Sequence, residues 1–399
     1  MEKKKFFVFF LIILFLSLTL VGFSNTTVGR YLRFGPKSVN HYKVFQYREI
    51  SSEQPYFKFG ETNLESIVKS RFSEVEYGNN QKIGDLDNFL EMTGTTSFIV
   101  IYKDNIIFEK YYNNYNRESI VTSFSMANSF TSALIGIAIE EGHIKSVYDS
   151  ITDYLPELKE RDPRFNEIRI IDLLHMSSGL KYEETFDDIN AYYSPNLRRL
   201  ALEKTKILEM PDTRFLHNNY NSLLLGIIIE RATGKTVSEY LEEKIWKSIG
   251  MEFEGSWSID AYDFEKMESG INCRAIDFAK FGRLYLNKGN WNEKQIISTG
   301  WAVASTAPYL PENNNYYPTK LIFNGHPGYY SLMWWGIKRD DKNYDFYTSG
   351  NHGQYIYVSP EKDLIIVRNG ISYGKDMKNN NEDWWPVIFY QFADQFPSN

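Results

Sequence analysis

The segment that most constrains the fold runs from Ser123 to Gly142 and predicts a long helix without a polar face. Its sequence is SFSMANSFTSALIGIAIEEG, in which two serines precede an apolar stretch and a glycine ends it. A helix on the surface of a domain keeps a polar stripe, so we expect this helix to lie inside a large core. Ser125 would stand at its N-terminus, where the helix dipole is positive and backbone N–H groups lack helical partners. Asn128, three residues later, would share its face.

The composition is that of a folded, acidic protein. Apolar residues make up 43% of the 399 residues and the formal net charge is -7, so the chain can bury a large core and is not a disordered linker. An acidic chain without a cluster of basic residues argues against a nucleic-acid partner. Cys273 is the single cysteine, which excludes an intrachain disulfide. The six histidines show no metal-ligand spacing, and we predict no metal and no cofactor.

The N-terminus combines a basic flank with a long uncharged run. Three lysines at positions 3–5 precede 18 residues, Phe6 to Phe23, that contain no charge. Secretory signal cores are shorter, about 7–15 residues, and no clear small-residue cleavage motif follows, so we expect residues 1–27 to form a membrane anchor. The lysines would stay in the cytoplasm, which places the rest of the chain outside it. A cleaved signal peptide, which would leave a secreted protein, is the alternative.

Beyond the N-terminus, the hydrophobic patterns change in a consistent order. Residues 28–84 show no clear period and predict a linker and N-terminal extension that becomes packed. A β-rich hairpin, helical patterns over about 150–330, three more β-rich runs and an amphipathic segment follow. These β-rich and amphipathic segments are residues 95–102, 106–112, 344–348, 355–358, 364–368 and 384–396. Residues 85–399 therefore predict an α/β (α+β) domain, in which an antiparallel sheet built from both chain ends is flanked by helices and carries a helical insertion.

The position one turn after Ser125 decides which proton acceptor is available. In serine hydrolases with a Ser-x-x-Lys motif, a desolvated lysine at that position helps to remove the serine proton, whereas this chain has Asn128. Ser66, Ser178 and Ser359 are each followed by a lysine three residues later, but such short matches arise by chance. None of them begins a long buried helix after a hairpin, so we do not regard them as nucleophiles.

Several further motifs follow this helix in a fixed order. They are ITDYLPEL from Ile151, LLHMSSGL from Leu173, LLGIIIERATG from Leu224, IWKSIGM from Ile245, DFAKFGRLYL from Asp277 and GNHGQ from Gly350. Together with the helix at Ser125, the ordered set resembles the class C β-lactamase-related serine hydrolases, a family that includes esterases, penicillin-binding enzymes and nylon-oligomer hydrolases. The resemblance covers about residues 85–395. It implies a β-lactamase/transpeptidase-like fold and hydrolysis of a small-molecule or peptide-like ester or amide through an acyl-serine on Ser125.

The resemblance also assigns the other site positions, and three of them depart from the family pattern. Asn128 takes the place of the lysine. The Tyr-x-Asn motif, counted back from the Leu-Gly pair that follows it, falls on His217 and Asn219, so a histidine replaces the tyrosine while the asparagine remains. The late strand motif falls on residues 348–350 without a lysine at its head. The implied catalytic positions are Ser125, His217 and Asn128, and the implied substrate-binding positions are Asn219, Ser349, Gly350, His352, Gly353 and Gln354.

Two interpretations of these replacements stay open. In the first, the His217 imidazole accepts the Ser125 proton near neutral pH, and Asn128, whose amide is not a base, orients the pair by hydrogen bonding. The oxyanion hole would combine the Ser125 N–H with the strand near Gln354. In the second, the pocket survives but turnover is lost or very slow, which leaves a ligand-binding protein of the cell envelope. A serine that only caps a helix is the remaining alternative.

Overall fold

The structure is a computed structural model whose described residues are 25–78, 81–309, 311, 316–317, 322–323, 326–374, 378–379 and 382–398. The predicted membrane anchor over residues 1–27 lies almost entirely outside these ranges. Across the described ranges, no helix has both the length and the apolar character needed to cross a membrane.

Helices and strands follow one another in the order that the sequence predicts, with most strands at the two ends of the chain. The helices are α1 Thr27–Phe34, α2 Glu65–Ser73, α3 Leu86–Met92, α4 Ala127–Glu140, α5 Pro156–Arg161, α6 Ile170–Leu174, α7 Glu184–Tyr193, α8 Leu197–Arg199, α9 Asn219–Thr233, α10 Val237–Leu241, α11 Ala275–Leu286, α12 Thr299–Thr306 and α13 Trp384–Asp394. Shorter 3₁₀ or π-helical turns cover His41–Lys43, Phe124–Met126, Ile151–Asp153, Pro163–Glu167, Leu200–Lys204 and Glu242–Trp246. The strands are β1 Tyr47–Ile50, β2 Gly60–Glu61, β3 Glu76–Tyr77, β4 Gln81–Lys82, β5 Thr95–Tyr102, β6 Asn105–Tyr111, β7 Val121–Thr122, β8 Gly255–Ser258, β9 Ile271–Cys273, β10 Asn290–Trp291, β11 Lys294–Gln295, β12 Ile322–Phe323, β13 His326–Ser331, β14 Trp334–Lys338, β15 Tyr344–Gly350, β16 Gln354–Ser359, β17 Leu364–Gly370, β18 Lys378–Asn379 and β19 Glu382–Asp383.

The main sheet joins strands from both ends of the chain. Its nine strands run in the order β12-β13-β14-β15-β16-β17-β5-β6-β2. The early hairpin β5-β6 meets the late strands at β17, where Ile366 lies opposite Val100 in an antiparallel pair. Among the strands of this sheet that the structure describes, only the short edge pair β2-β6 is parallel. The predicted α/β fold with a sheet built from both chain ends is therefore confirmed.

Strand β5 is buried on both faces, which explains its continuous apolar sequence. Ile99 and Ile101 belong to the core that includes α4, α9 and α11, whereas Phe98 and Val100 belong to the core that includes α2, α3 and α13. Alternate side chains of a strand point to opposite faces, so one strand serves both cores. The helix predicted after Ser123 is α4, which is buried along most of its length and packs against α9 and, through the stacked rings of Phe130 and Phe281, against α11.

The N-terminal arm, residues 27–46, packs against α7. Tyr193 Oη donates a hydrogen bond to the Gly35 carbonyl oxygen (2.6 Å), and His41 Nδ1 lies 3.1 Å from Tyr192 Oη. Strand β1 continues from the arm and pairs with β8 in a second sheet of order β1-β8-β9-β7. The extension is therefore tied to the helical region, next to the cavity described below.

Candidate active site

Ser125 lies in the short 3₁₀ turn Phe124–Met126, which leads directly into α4. Phe124 has a φ of 45°, a left-handed conformation that is strained for a bulky residue. The turn is fixed by Ser123, whose N–H donates to Ile271 O (2.8 Å) and whose Oγ accepts from Ile271 N–H (3.1 Å). These contacts hold a half-buried serine hydroxyl at the N-terminal end of the buried helix.

Gly350, at the end of β15, packs against this turn. A Cβ at position 350 would lie 2.2 Å from the Ser123 carbonyl oxygen and 3.2 Å from the Ser125 nitrogen, so only glycine leaves the required space. Side chains alternate along a strand, and the neighbouring Ser349 therefore points away from the turn. The end of β15 forms a wall beside the Ser125 N–H, and the Ser349 side chain lies on the far side of that wall.

Ser125 faces a cavity of about 350 Å³. The lining residues are Lys37, Phe124, Ser125, Tyr182, Glu184, Asp188, Tyr192, Phe215, Leu216, His217, Asn219, Glu268, Ser269 and Asn351. Three residues that the sequence assigned to the site, Ser125, His217 and Asn219, are brought together in this one cavity. They come from the turn before α4 and from the start of α9, two segments that are far apart in the sequence.

His217 occupies the loop directly before α9, whose N-cap residue is Asn218. Its half-buried imidazole stacks on Trp335, with ring centroids 6.3 Å apart, and meets the edge of the Tyr330 ring at 6.4 Å. Among the described residues, the Ser125 hydroxyl has no hydrogen-bond partner. Catalytic hydrogen bonds are often long or poorly aligned in unliganded enzymes, so the shared cavity is the geometric observation that relates the two side chains.

Asn128 lies on α4 outside the lining of the cavity. Its side chain is buried, and its Oδ1 accepts a hydrogen bond from Ser222 Oγ at 2.6 Å. Ser222 belongs to α9, so this bond joins the helix that follows the serine to the helix that follows His217. The structure therefore places the predicted orienting residue in a contact between two helices.

The turn between β15 and β16 holds the remaining predicted residues. His352 and Gly353 have φ values of 63° and 77°, and a Cβ at position 353 would lie 2.1 Å from Arg368 Nη1. Gln354 is buried, and its amide donates to the Asn351 carbonyl oxygen at 3.1 Å. The described lining includes Asn351 but not His352, Gly353 or Gln354. Asn351 directly follows Gly350, the glycine that packs beside the Ser125 nitrogen, whereas Gln354 begins the next strand.

His352 supports the serine turn from behind. Its ring lies 5.2 Å from the Phe124 ring, measured between centroids. Burial lowers the pKa of His352, although hydrogen bonds to the backbone of Lys37 and Ile371 act in the opposite direction. These contacts connect the N-terminal arm, the serine turn and the end of β17 around one imidazole.

Several lining residues carry no signal in the sequence. Lys37 belongs to the N-terminal arm, forms an ion pair with Asp188 of α7 and lies 4.9 Å from the centroid of the Tyr192 ring. Tyr182 precedes α7, and Glu268 lies in the loop before β9. None of these side chains belongs to a motif or to an apolar period, because each reaches the cavity only through the tertiary fold.

The cavity is acidic. Its lining carries three carboxylates, Glu184, Asp188 and Glu268, and one ammonium group, that of Lys37. Behind the lining, Lys266 Nζ lies 3.2 Å from Glu268 Oε1, and burial lowers the pKa of this lysine while the nearby carboxylate opposes the shift. Over the described part of the chain, no group of three or more His, Cys, Asp or Glu residues is arranged to hold a metal ion.

A serine at the start of a buried helix, a sheet edge packed on its backbone and a lined cavity in front of it are features of the serine hydrolase fold of the β-lactamase type. The chain belongs to the Beta-lactamase family, whose sequence model matches residues 87–369. This match covers the early hairpin, the helical region and the late strands, which confirms the resemblance stated from the motifs.

Similar proteins of this family are hydrolases. The 6-aminohexanoate-dimer hydrolase of Paenarthrobacter ureafaciens is 24% identical over 302 residues, which cover 72% of this chain and 75% of that protein. The teichoic acid D-alanine hydrolase of Staphylococcus aureus is 26% identical over 194 residues, 46% of each chain. A Bacillus anthracis protein assigned as a 6-aminohexanoate-dimer hydrolase gives a TM-score of 0.72 at 23% identity and covers 92% of this chain and 93% of its own. A class C β-lactamase gives a TM-score of 0.59 at 14% identity, with 84% and 98% covered.

Proposed function

We propose that this protein hydrolyses a small-molecule or peptide-like ester or amide through an acyl-serine on Ser125, with His217 as the general base. The observation that carries the proposal is that the Ser125 hydroxyl and the His217 imidazole line the same cavity. An imidazole titrates near neutral pH and can accept the serine proton, whereas the amide of Asn128 cannot. The hydrolase relatives of the family support the reaction class.

The proposed chemistry has two halves. In the first, Ser125 Oγ attacks the acyl carbon while its proton passes to His217, and the same proton then goes to the leaving oxygen or nitrogen as its bond to the acyl carbon breaks. In the second, water attacks the acyl-serine, gives a proton to His217, and Ser125 is released with that proton. The backbone N–H groups of Ser125 and Asn351 would stabilise the oxyanion in both halves.

A ligand-binding protein without turnover is the second candidate. Asn128 occupies the position of the family lysine and is bonded to Ser222, and the Ser125 hydroxyl has no partner among the described residues. Removing a general base commonly slows an enzyme by about 10²–10⁴-fold. A chain in which His217 does not act as the base would therefore bind its ligand with little or no turnover.

Labelling with a fluorophosphonate probe separates the two candidates. We expect labelling of the wild-type protein that is absent in Ser125→Ala and at least about 100-fold slower in His217→Gln. Ser66→Ala is the matched control, because Ser66 is exposed and also precedes a lysine by three residues, and its labelling should equal that of the wild type. Thermal unfolding would check that each variant is folded. Absence of labelling in the folded wild type would favour the binding protein, and equal labelling of His217→Gln would exclude His217 as the base.

A further inference from the structure

The residue that precedes the proposed nucleophile packs outside both main cores. Phe124 is 3% exposed and belongs to a small aromatic cluster that also contains Phe45, Tyr192 and Tyr193. Phe45 comes from the N-terminal arm, and the two tyrosines end α7. The side chain next to Ser125 is therefore packed against segments that lie outside the family motifs.

The backbone of Phe124 depends on this packing. Its φ of 45° is a left-handed conformation that is unfavourable for a bulky residue, and such a conformation persists only where the surrounding structure holds it. Hydrogen bonds between Ser123 and Ile271 hold the preceding residue. The Phe124 ring itself stacks on the Tyr192 ring, with centroids 6.4 Å apart and planes at 24°. Loss of this contact would allow Phe124 to leave the left-handed region, and the Ser125 hydroxyl would move with it.

Tyr192 connects Phe124 with the N-terminal arm. Its hydroxyl oxygen lies 3.1 Å from His41 Nδ1, and its ring centroid lies 5.6 Å from that of Phe45. His41 and Phe45 also contact each other, with ring centroids 5.4 Å apart. Two residues of the arm therefore hold the tyrosine ring on which Phe124 stacks.

A buried ammonium group also contacts the arm. Lys266 Nζ donates to the Tyr192 carbonyl oxygen at 2.6 Å, and it lies 5.1 Å from the centroid of the Phe45 ring and 4.6 Å from that of Tyr192. A cation over an aromatic ring is attracted by the ring, most strongly where water is excluded. The Phe45 ring therefore stabilises this lysine as well as the tyrosine, which favours the docked position of the arm.

The arm also contributes directly to the cavity. Lys37 lines the cavity and pairs with Asp188, whose other oxygen accepts a hydrogen bond from Asn219 Nδ2 at 2.9 Å. Release of the arm would remove this ammonium group from the lining and from the carboxylate that holds Asn219. Because Asn219 begins α9, release of the arm would affect the serine turn and the start of α9 together.

We propose that the docked N-terminal arm positions the nucleophile, and that Phe45 is a positioning residue that acts on Ser125 through Tyr192 and Phe124. Phe45 is 6% exposed and is not among the described lining residues of the cavity, so it would not touch the substrate. This inference rests on the proposed hydrolase function for its labelling readout, but not for its exchange readout. A displacement of about 1 Å in an active site can slow the reaction about 100-fold, which sets the size of the expected effect.

Fluorophosphonate labelling compares Phe45→Ala with a matched control. Phe396→Ala removes the same side chain, at 5% exposure, from the core that includes α13, where its ring contacts Tyr102 and Phe392. We expect labelling of Phe45→Ala to be roughly 10- to 100-fold slower than that of the wild type, with partial recovery in Phe45→Leu and no change in Phe396→Ala. Phe45→Leu and Phe396→Leu form a milder pair if an alanine variant does not fold. Wild-type labelling of Phe45→Ala, or an equal loss in Phe396→Ala, would overturn the inference and leave the proposed function intact.

Hydrogen exchange followed by mass spectrometry tests the arm without turnover. In Phe45→Ala, peptides from the arm and from residues 121–127 should both exchange faster than in the wild type, because both lose packing. A peptide from β5 should not change, and Phe396→Ala should leave the arm and the serine turn at their wild-type rates. Faster exchange of both segments would support the positioning role even if the wild type shows no labelling. Wild-type exchange of the arm, or faster exchange of the arm alone, would overturn the inference.

Discussion

The hydrogen bond between Asn128 and Ser222 predicts a measurable coupling between α4 and α9. Ser222 Oγ donates to Asn128 Oδ1 at 2.6 Å, and the two residues are 0% and 2% exposed. Asn128→Ala would leave the Ser222 hydroxyl buried without an acceptor, and Ser222→Ala would leave the Asn128 oxygen without a donor. Each single substitution should lower the free energy of unfolding by about 1–3 kcal/mol, the cost of an unsatisfied buried polar group.

The double variant, Asn128→Ala with Ser222→Ala, measures the interaction energy between these two side chains. After Asn128→Ala, the second substitution removes a hydroxyl that no longer has a partner, so the double variant should cost about 1 kcal/mol less than the sum of the singles. Urea unfolding followed by tryptophan fluorescence would measure all four proteins. Ser132→Ala is the control on the same helix, because its buried hydroxyl has no partner among the described residues, and its loss should cost little. Additive effects within about 0.5 kcal/mol would refute the reasoning.

Two further predictions concern the serine turn and acid stability. Gly350→Ala should lower the melting temperature and slow probe labelling, because its Cβ would lie 2.2 Å from Ser123 O, and normal labelling would contradict this. Burial lowers the pKa of His175 to about 4. Between about pH 6.5 and pH 4, His175 is therefore protonated in the unfolded chain but not in the folded protein. The free energy of unfolding should therefore fall by up to about 3 kcal/mol as the pH drops through that window. Urea unfolding at several pH values would measure this fall, which should be smaller in His175→Gln.

The sequence predicted those features that depend on local pattern. Composition and periodicity predict that the apolar run of β5 and the helix after Ser123 are buried. The structure has both elements at the predicted positions. His217 and Asn219, which were assigned from the spacing within one motif, line the same cavity as Ser125. These positions could be predicted because residues within one short motif keep the same backbone geometry relative to each other.

The lining residues that the sequence analysis did not predict lie in segments without a motif or a hydrophobic period. Lys37 lies in an arm with mixed aromatic and charged residues, and its position depends on the packing of that arm against α7. Glu268 reaches the cavity from the loop before β9. In that loop, Lys266 Nζ and Ser269 Oγ both contact Glu268 Oε1. The same reason applies to the turn after β15, where Asn351 lines the cavity and Gln354 does not, because the sequence does not reveal how far the end of a strand extends past its turn.

In the proposed mechanism Asn128 is not a proton acceptor, and through Ser222 it steadies the segment that carries His217. Ser222 and Asn219 are three residues apart on α9 and share a helix face, and His217 lies two residues before the helix begins. The Asn128 hydrogen bond therefore fixes the start of α9 relative to the helix of Ser125. A residue that does not touch the reacting atoms can still set the distance between the serine and the imidazole. In the proposed mechanism Asn128 acts as a positioning residue, and its contribution to activity should follow that of Ser222.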